Sequence, residues 1–515
     1  MKKLPIGIQS FSKIRSDNYY YVDKTFFIEK LVQEGGTYYF LSRPRRFGKS
    51  LFLDTLRQAF LGRKQYFNGL YLENKWDWDR VYPVIKISLG SGVVEDRENL
   101  RDVLFSSVDE IAEDEEITLK EKIINKRFYE LIKKMYKKYD TGVVVLVDEY
   151  DKPILDRIED KEKAIEIREE LKNFYSVLKD ADEYIKFVFI TGVTKFSKVS
   201  IFSGLNQLQD ITLNPEYATI CGYTQKEFED VFFERLQGMD LETIQKWYNG
   251  YSWLGDKVYN PFDVLLFFAE KDFRPYWFET GTPGFLIKLI ADRKYYIPKL
   301  ENLEVGEELL GAFDIDRIYP ENLLFQSGYL TIRNKQKTLA GNLYLLSFPN
   351  HEVKVSFNNH ILTYLVDDYY EKQQVKLHLY KAIDTNNFDK LKKIFVSFFS
   401  SIPYDWYRKN NLAGYEGYYA SIFYCYFTAT GFFVIAEDVT NHGKIDLTVF
   451  YKDRIYIIEF KVVELIKENI RPIDQIKKKK YYEKYKNQYN KIYLIGVEFS
   501  KDERNIVGWE VEKLN

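Results

Sequence analysis

Apolar positions along the first 215 residues alternate between short continuous runs and helical spacing. Residues 38–41 form a short apolar run that predicts a strand. Leu51, Leu53, Leu56 and Phe60 then fall on one face of a helix that stops at Gly62. Residues 84–88 predict a second strand. Residues 143–147 are an unbroken β-branched and leucine run, the signature of a strand buried on both faces of a parallel sheet. Residues 187–191 give another such run. Strands separated by helices predict a doubly wound α/β domain over 1–215. From 216 to 355 the pattern changes. A helix over 224–236 starts at Thr224 as its N-cap, turn-rich segments follow at 247–251 and 260–262, and residues 328–332 and 343–346 read as two strands with a polar connection. Helices followed by such a hairpin predict a helical lid with a winged-helix-like end. Residues 356–405 read as a helical connector. Residues 406–515 read as helix (415–430), three strands (433–437, 445–451, 455–461), helix (474–486) and strand (492–497), a second α/β domain.

Composition narrows the class. The 515 residues are 45% hydrophobic, which places the chain among globular proteins. Tyr and Phe, 43 and 39 of them, lift the aromatic share to 17% and read chiefly as core. The net charge of -2 excludes a polycation, so any nucleic-acid footprint is local. Two cysteines, Cys221 and Cys425, lack CxxC spacing and exclude a Cys-based zinc finger or disulfide scaffold. The four histidines, His351, His360, His378 and His442, are scattered. The basic start has no apolar h-region, and no apolar run nears the ~18 residues of a membrane span. The expectation is a soluble cytoplasmic protein with no membrane partner.

Two groups of residues carry chemistry. Gly48-Lys49-Ser50 lies between a strand and a helix, the setting in which backbone N–H groups cradle phosphates. There Lys49 is expected to reach the β- and γ-phosphates and Ser50 to ligate Mg²⁺. The 143–147 strand ends in Asp148-Glu149: Asp148 is expected to hold Mg²⁺ through water and Glu149 to polarise the attacking water. A third strand ends near Thr191 and Thr194, either of which is placed to sense the γ-phosphate or to satisfy a strand end. The second group is Asp446 with Glu459-Phe460-Lys461. Folding the hairpin about Asp453 sets Asp446 opposite Phe460, to within one residue of register, and Glu459 and Lys461 share a strand face. Two carboxylates there are expected to bind Mg²⁺ or Mn²⁺, and Lys461 to orient the attacking water or neutralise developing charge. The Lys477–Lys480 run is either a solvated helix face or a phosphate contact.

Residues 4–7, 21–25, Arg43-Pro44-Arg45-Arg46-Phe47-Gly48-Lys49-Ser50, 147–151, 247–251, 259–261 and 326–330 make the chain resemble the bacterial AAA-ATPase-like family that is fused to a C-terminal PD-(D/E)XK nuclease-superfamily domain. The resemblance spans nearly the whole chain. It implies a P-loop ATPase domain and a restriction-endonuclease-like α/β domain. It implies that the eight residues from Arg43 to Ser50 are the family's phosphate loop, with Arg43 where other P-loops carry glycine. It also implies that Glu416 is the accessory acid of the nuclease site and that Gln475 supports that site, with Tyr481 or Tyr482 later than the tightest QxxxY spacing. His442-Gly443-Lys444-Ile445-Asp446 resembles the family's Gly-Arg-Ile-Asp, with Lys444 in place of Arg. The expected function is an ATP-regulated, metal-dependent nuclease acting on DNA, in an oligomeric state left open that includes a homo-oligomer. The alternatives are an NTP-switched nucleic-acid-binding or scaffold protein without cleavage, and an RNA-directed enzyme.

Overall fold

The computed structural model describes the chain except residues 196, 278–283, 293–294, 312–314, 316–317, 340, 366–368, 402–415, 466–470 and 515; at 285, 291–292, 365, 369–372, 401, 416 and 465 it describes backbone alone. The chain packs as two units, one of residues 1–281 and 304–351, the other of residues 282–303 and 352–515. The segment expected as a lid therefore belongs mostly with the ATPase-like part, and the helices expected as a connector belong with the C-terminal part.

The first unit is built on a five-stranded sheet. Its strands are β1 (Tyr38–Ser42), β2 (Val84–Ser88), β3 (Val143–Asp148), β4 (Ile185–Gly192) and β5 (Gln209–Asp210). They run parallel in the order β2-β3-β4-β1-β5. Every residue of β1 and β3 is buried, as expected of central strands covered by helices on both faces. The helix Lys49–Phe60 follows β1 after the loop 43–48, starting from Gly48 at φ +93°, a conformation that glycine adopts without strain. Outside the sheet, the helix Gln225–Leu236 opens with a capping box between Thr224 and Glu227. The Lys24 ammonium sits 2.7 Å from both Glu227 oxygens and 2.8 Å from the Thr219 carbonyl, which ties the 21–25 segment to that helix. A second apolar cluster gathers around Phe228, Phe232, Tyr248, Tyr259 and Phe268. The hairpin Thr331–Thr338 with Gly341–Ser347 joins Leu303–Gly306 in a three-stranded sheet.

The second unit holds a five-stranded sheet in chain order: Phe433–Thr440, Gly443–Tyr451, Arg454–Val462, Lys491–Ser500 and Asn505–Leu514. Only the third and fourth strands pair in parallel. The helix Glu416–Ala429 precedes the sheet, and the helix Pro472–Lys478 makes the crossover between the parallel strands. The expected helix over 474–486 is broken where Lys480 takes φ +49°, after which a short 3₁₀ turn, Tyr481–Lys484, continues. The last strand, Asn505–Leu514, is an addition to the expected set. Lys354 forms an ion pair with Glu301, and Tyr424 donates to Glu301 at 2.6 Å, so the 282–303 segment is built into this unit. Among the described residues no helix is long and apolar enough to cross a membrane.

Candidate functional site

The first candidate site lies at the end of β1. A pocket of about 420 Å³ is lined there by Arg45, Arg46, Gly48, Lys49, Ser50 and Glu149 together with Pro5, Gly7, Ile8, Gln9, Tyr223, Pro261, Phe262 and Leu265. Lys49 is buried, and its ammonium donates to the carbonyls of Arg43 at 3.0 Å and Pro44 at 3.1 Å. These bonds close the loop around a positive centre.

The other loop residues divide by direction. Arg43 is 1% exposed, and its guanidinium donates to Ser42 and Thr212 carbonyls at 2.9 Å and to the Tyr217 carbonyl at 3.2 Å, and lies 4.2 Å over the Trp253 ring. This side chain braces the loop from beneath; it is engaged with the backbone rather than facing the pocket, which explains how an arginine replaces the customary first glycine. Phe47 is buried edge-on against Tyr251 and Trp253. Pro44 packs on Gly328, and the Arg45 carbonyl accepts from the Trp277 indole at 3.2 Å. The 247–253 and 326–330 segments therefore shape the loop from outside the sheet.

At the end of β3, Asp148 is buried and its Oδ1 accepts from the Thr191 hydroxyl at 2.6 Å. Glu149 takes φ +54° and lines the pocket. Burial raises its carboxyl above the ordinary range, helped by Asp148 and Asp151 and opposed by Lys49. Asp151 is fully buried and accepts from Val193 N at 3.0 Å, Thr194 N at 2.7 Å and the Thr194 hydroxyl at 2.7 Å. Of the two threonines weighed for γ-phosphate sensing, Thr191 is the one bonded to the expected metal-holding acid, and Thr194 gives its hydroxyl to Asp151. Asp151 was not singled out from sequence; its position two residues past Glu149 was the available signal. Of the pocket wall, Pro5, Gly7 and Pro261 fall in segments of the resemblance and Phe262 in a turn-rich segment, whereas Ile8, Gln9 and Leu265 carried no signal in the sequence.

The second candidate site is in the second unit. Continuing the register of Leu447 opposite Ile458 brings Asp446 opposite Glu459, one residue from the expected partner Phe460, so the two acids leave the sheet on one face. Asp446 Oδ2 accepts the Phe460 N–H at 2.8 Å. Glu459 is 1% exposed; its Oε1 accepts from the Gln475 amide, and its Oε2 is buried without a hydrogen-bond partner. Burial first, then the Asp446 charge, push its carboxyl up to about 9 against the pull of Lys461 and Lys479. A buried carboxylate pair of this kind is relieved by a proton or by a cation. The orphaned Oε2 beside Asp446 is a donor set that suits a hard divalent ion such as Mg²⁺ or Mn²⁺.

Gln475 reaches Glu459 because its helix comes unusually close to the sheet. Glu459 pairs with Gly496 in the neighbouring strand, and a Cβ at Gly496 would lie 2.8 Å from the backbone nitrogen of Ile473. Glycine there lets the helix start descend onto the strand pair. Glu416 opens the helix Glu416–Ala429, but its side chain lies outside the described residues. Among the described residues no group of three or more His, Cys, Asp or Glu side chains is set to hold a metal ion. The lysine run is partly committed: Lys477 pairs with Glu512, Lys480 lies 3.8 Å from Glu483, and Lys479 stands over the Tyr481 ring. Lys444 pairs with Glu437 at 2.8 Å on the surface.

Two family models match stretches of the chain. Residues 5–202 match the family described as predicted AAA-ATPase, and residues 414–509 match the PD-(D/E)XK nuclease superfamily. The chain is 49% identical over 516 aligned residues to the uncharacterized protein in the vnfD 5' region of Azotobacter chroococcum mcd 1, covering 100% of this chain and 99% of that protein.

Proposed function

Because the chain belongs to the predicted AAA-ATPase family and carries a PD-(D/E)XK nuclease-superfamily domain, we propose that it binds and hydrolyses ATP and cuts DNA in a metal-dependent reaction gated by its nucleotide state. The observation that carries the nuclease half is the buried Oε2 of Glu459, left without a partner beside Asp446 while Gln475 fixes the other oxygen. A carboxylate so placed serves a cation better than it serves stability.

In the first unit, Lys49 and the N–H groups at the start of the helix Lys49–Phe60 hold the phosphates. Ser50 and Asp148 are the residues that would hold Mg²⁺, which neutralises phosphate charge when bound. Glu149, with its carboxyl raised by burial, takes the proton of the attacking water. In the second unit Asp446 and Glu459 would hold Mg²⁺ or Mn²⁺, whose chemistry is to lower the pKa of bound water and stabilise charge on the phosphate. Lys461 would orient the attacking water or meet the developing charge, and Gln475 holds Glu459 in its rotamer. By resemblance to the nuclease superfamily, Glu416 is the proposed accessory acid.

The test is cleavage by the full chain of labelled single- and double-stranded DNA and RNA, with Mg²⁺ or Mn²⁺, and with no nucleotide, ADP or a non-hydrolysable ATP analogue. The expected result is metal-dependent cutting of DNA at a rate that changes with the nucleotide. Identical rates in all three nucleotide conditions remove the gating. Cutting of RNA alone removes the assignment to DNA, and tight binding without cutting replaces a nuclease with an NTP-switched binder.

A further inference from the structure

The pocket beside Lys49 has two chemistries in one cavity. Arg45, Arg46, Lys49, Ser50 and Glu149 suit phosphates and the metal that accompanies them, whereas Ile8, Pro261, Phe262 and Leu265 offer nothing to a phosphate. An apolar wall continuous with a phosphate cradle fits a ligand that is anionic at one end and flat and weakly polar at the other. A nucleoside triphosphate has that form.

The wall is also preset. The fully buried Asn260 accepts the Phe262 N–H at 2.9 Å, and Pro261 stands at the first turn of the helix Pro261–Glu270, which together fix where the Phe262 ring emerges. Phe262 is half-buried and packs against the apolar cluster around Phe228 and Phe268. The Arg46 guanidinium lies over the ring, 3.9 Å from its centroid. A planar cation on an aromatic face occupies the space that a planar base occupies when it stacks. Leu265, three residues on, lies on the same side of the helix and extends the platform. Gln9 carries the one side-chain amide among the described residues that line the cavity. An amide both donates and accepts, and so matches the N6 amine and N7 of adenine as a pair.

Resting on the reading that this domain binds ATP, we propose that Phe262 is the stacking platform for the nucleotide base, that Gln9 reads it as adenine, and that Arg46 leaves the ring for the phosphates as the base arrives.

Calorimetry of the full chain with ATP, GTP and tripolyphosphate tests this. Loss of an aromatic–base stack weakens binding by roughly tenfold or more. Phe262→Ala is expected to lose ATP affinity by that factor and to keep its affinity for tripolyphosphate, with Phe262→Tyr restoring ATP binding. Gln9→Ala is expected to narrow the preference for ATP over GTP. Wild-type affinity for ATP in Phe262→Ala overturns the platform. An equal loss for ATP and tripolyphosphate also overturns it, because Phe262 would then be supporting the loop only. No preference for ATP over GTP in the wild type overturns the role of Gln9. If the wild type binds tripolyphosphate but no nucleotide, or binds neither, the ATP reading itself falls, an outcome separate from these.

Discussion

Glu459 stands opposite Gly496 in parallel register, and the missing side chain at Gly496 is what admits the helix that carries Gln475 to Glu459. The carboxylate is thus positioned by an absence on the adjacent strand.

Gly496→Ala is expected to push that helix off the sheet, since its Cβ would lie 2.8 Å from Ile473 N. Overpacking of this kind costs about 1–3 kcal/mol. Cleavage should fall at least tenfold while ATP hydrolysis by the first unit is kept; thermal melting and the two activity assays read the three effects. Unaltered cleavage in Gly496→Ala would show that the Gln475–Glu459 contact is dispensable.

Asp446→Asn and Glu459→Gln are expected to abolish phosphodiester cleavage in Mg²⁺ and to weaken Mn²⁺ binding measured by calorimetry. Lys461→Ala should slow cutting with little change in Mn²⁺ affinity, because a cation is a poor metal ligand. Persistent cutting by both acid variants would locate the activity elsewhere in the chain or in a contaminant.

Lys49→Ala is expected to weaken ATP binding, since it removes the positive centre on which the loop is folded. Glu149→Gln should bind ATP as the wild type does and hydrolyse it roughly 10²–10⁴-fold more slowly, the usual size of a general-base contribution. Equal ATP affinity in the wild type and Lys49→Ala refutes this site.

Asp151→Ala strands three donors, Val193 N, Thr194 N and the Thr194 hydroxyl, inside the first unit. Buried unsatisfied groups cost about 1–3 kcal/mol each before relaxation. The variant should melt well below the wild type, and Asp151→Asn, which retains one acceptor, should lie between them.

Glu130 gives a pH signature. Burial works against its charge, but the Lys134 ammonium at 2.7 Å and the N–H groups of Glu121 and Lys120 at 2.9 and 2.8 Å hold the carboxyl down to about 2. A carboxyl whose folded pKa lies below its unfolded value stabilises the fold above the unfolded value, near 4.5, and loses that contribution as pH falls toward 2. Glu130→Gln should therefore melt below the wild type at pH 6, with the gap shrinking as pH drops to 3. A gap that widens on acidification contradicts the argument.

The elements whose burial is uniform were legible in sequence. β1 and β3 are unbroken apolar runs because helices cover them on both sides, and such runs carry their own signal. The Asn505–Leu514 strand was not legible: Glu510, Glu512 and Lys513 interrupt it, as an edge strand permits, and only its ladder to Lys491–Ser500 makes it a strand. The hairpin register falls one residue from Phe460, within the one-residue margin of the sequence reading, because Tyr451 pairs with Arg454 and leaves a two-residue turn rather than one centred on Asp453. The direction of Arg43 was hidden for a different reason. Its carbonyl partners Thr212 and Tyr217 lie about 170 residues away, and no local pattern announces them.

The path of the chain through its two units limits how this protein can be recombined. Residues 282–303 belong with residues 352–515, although 304–351 lie between them in sequence and belong to the other unit. Exchanging everything after residue 351 between two relatives would leave Glu301 of one parent facing Lys354 and Tyr424 of the other. The nuclease-like half is therefore not a cassette with one splice point. A working chimaera has to carry its short upstream segment as well, and a single cut in the backbone frees neither half intact.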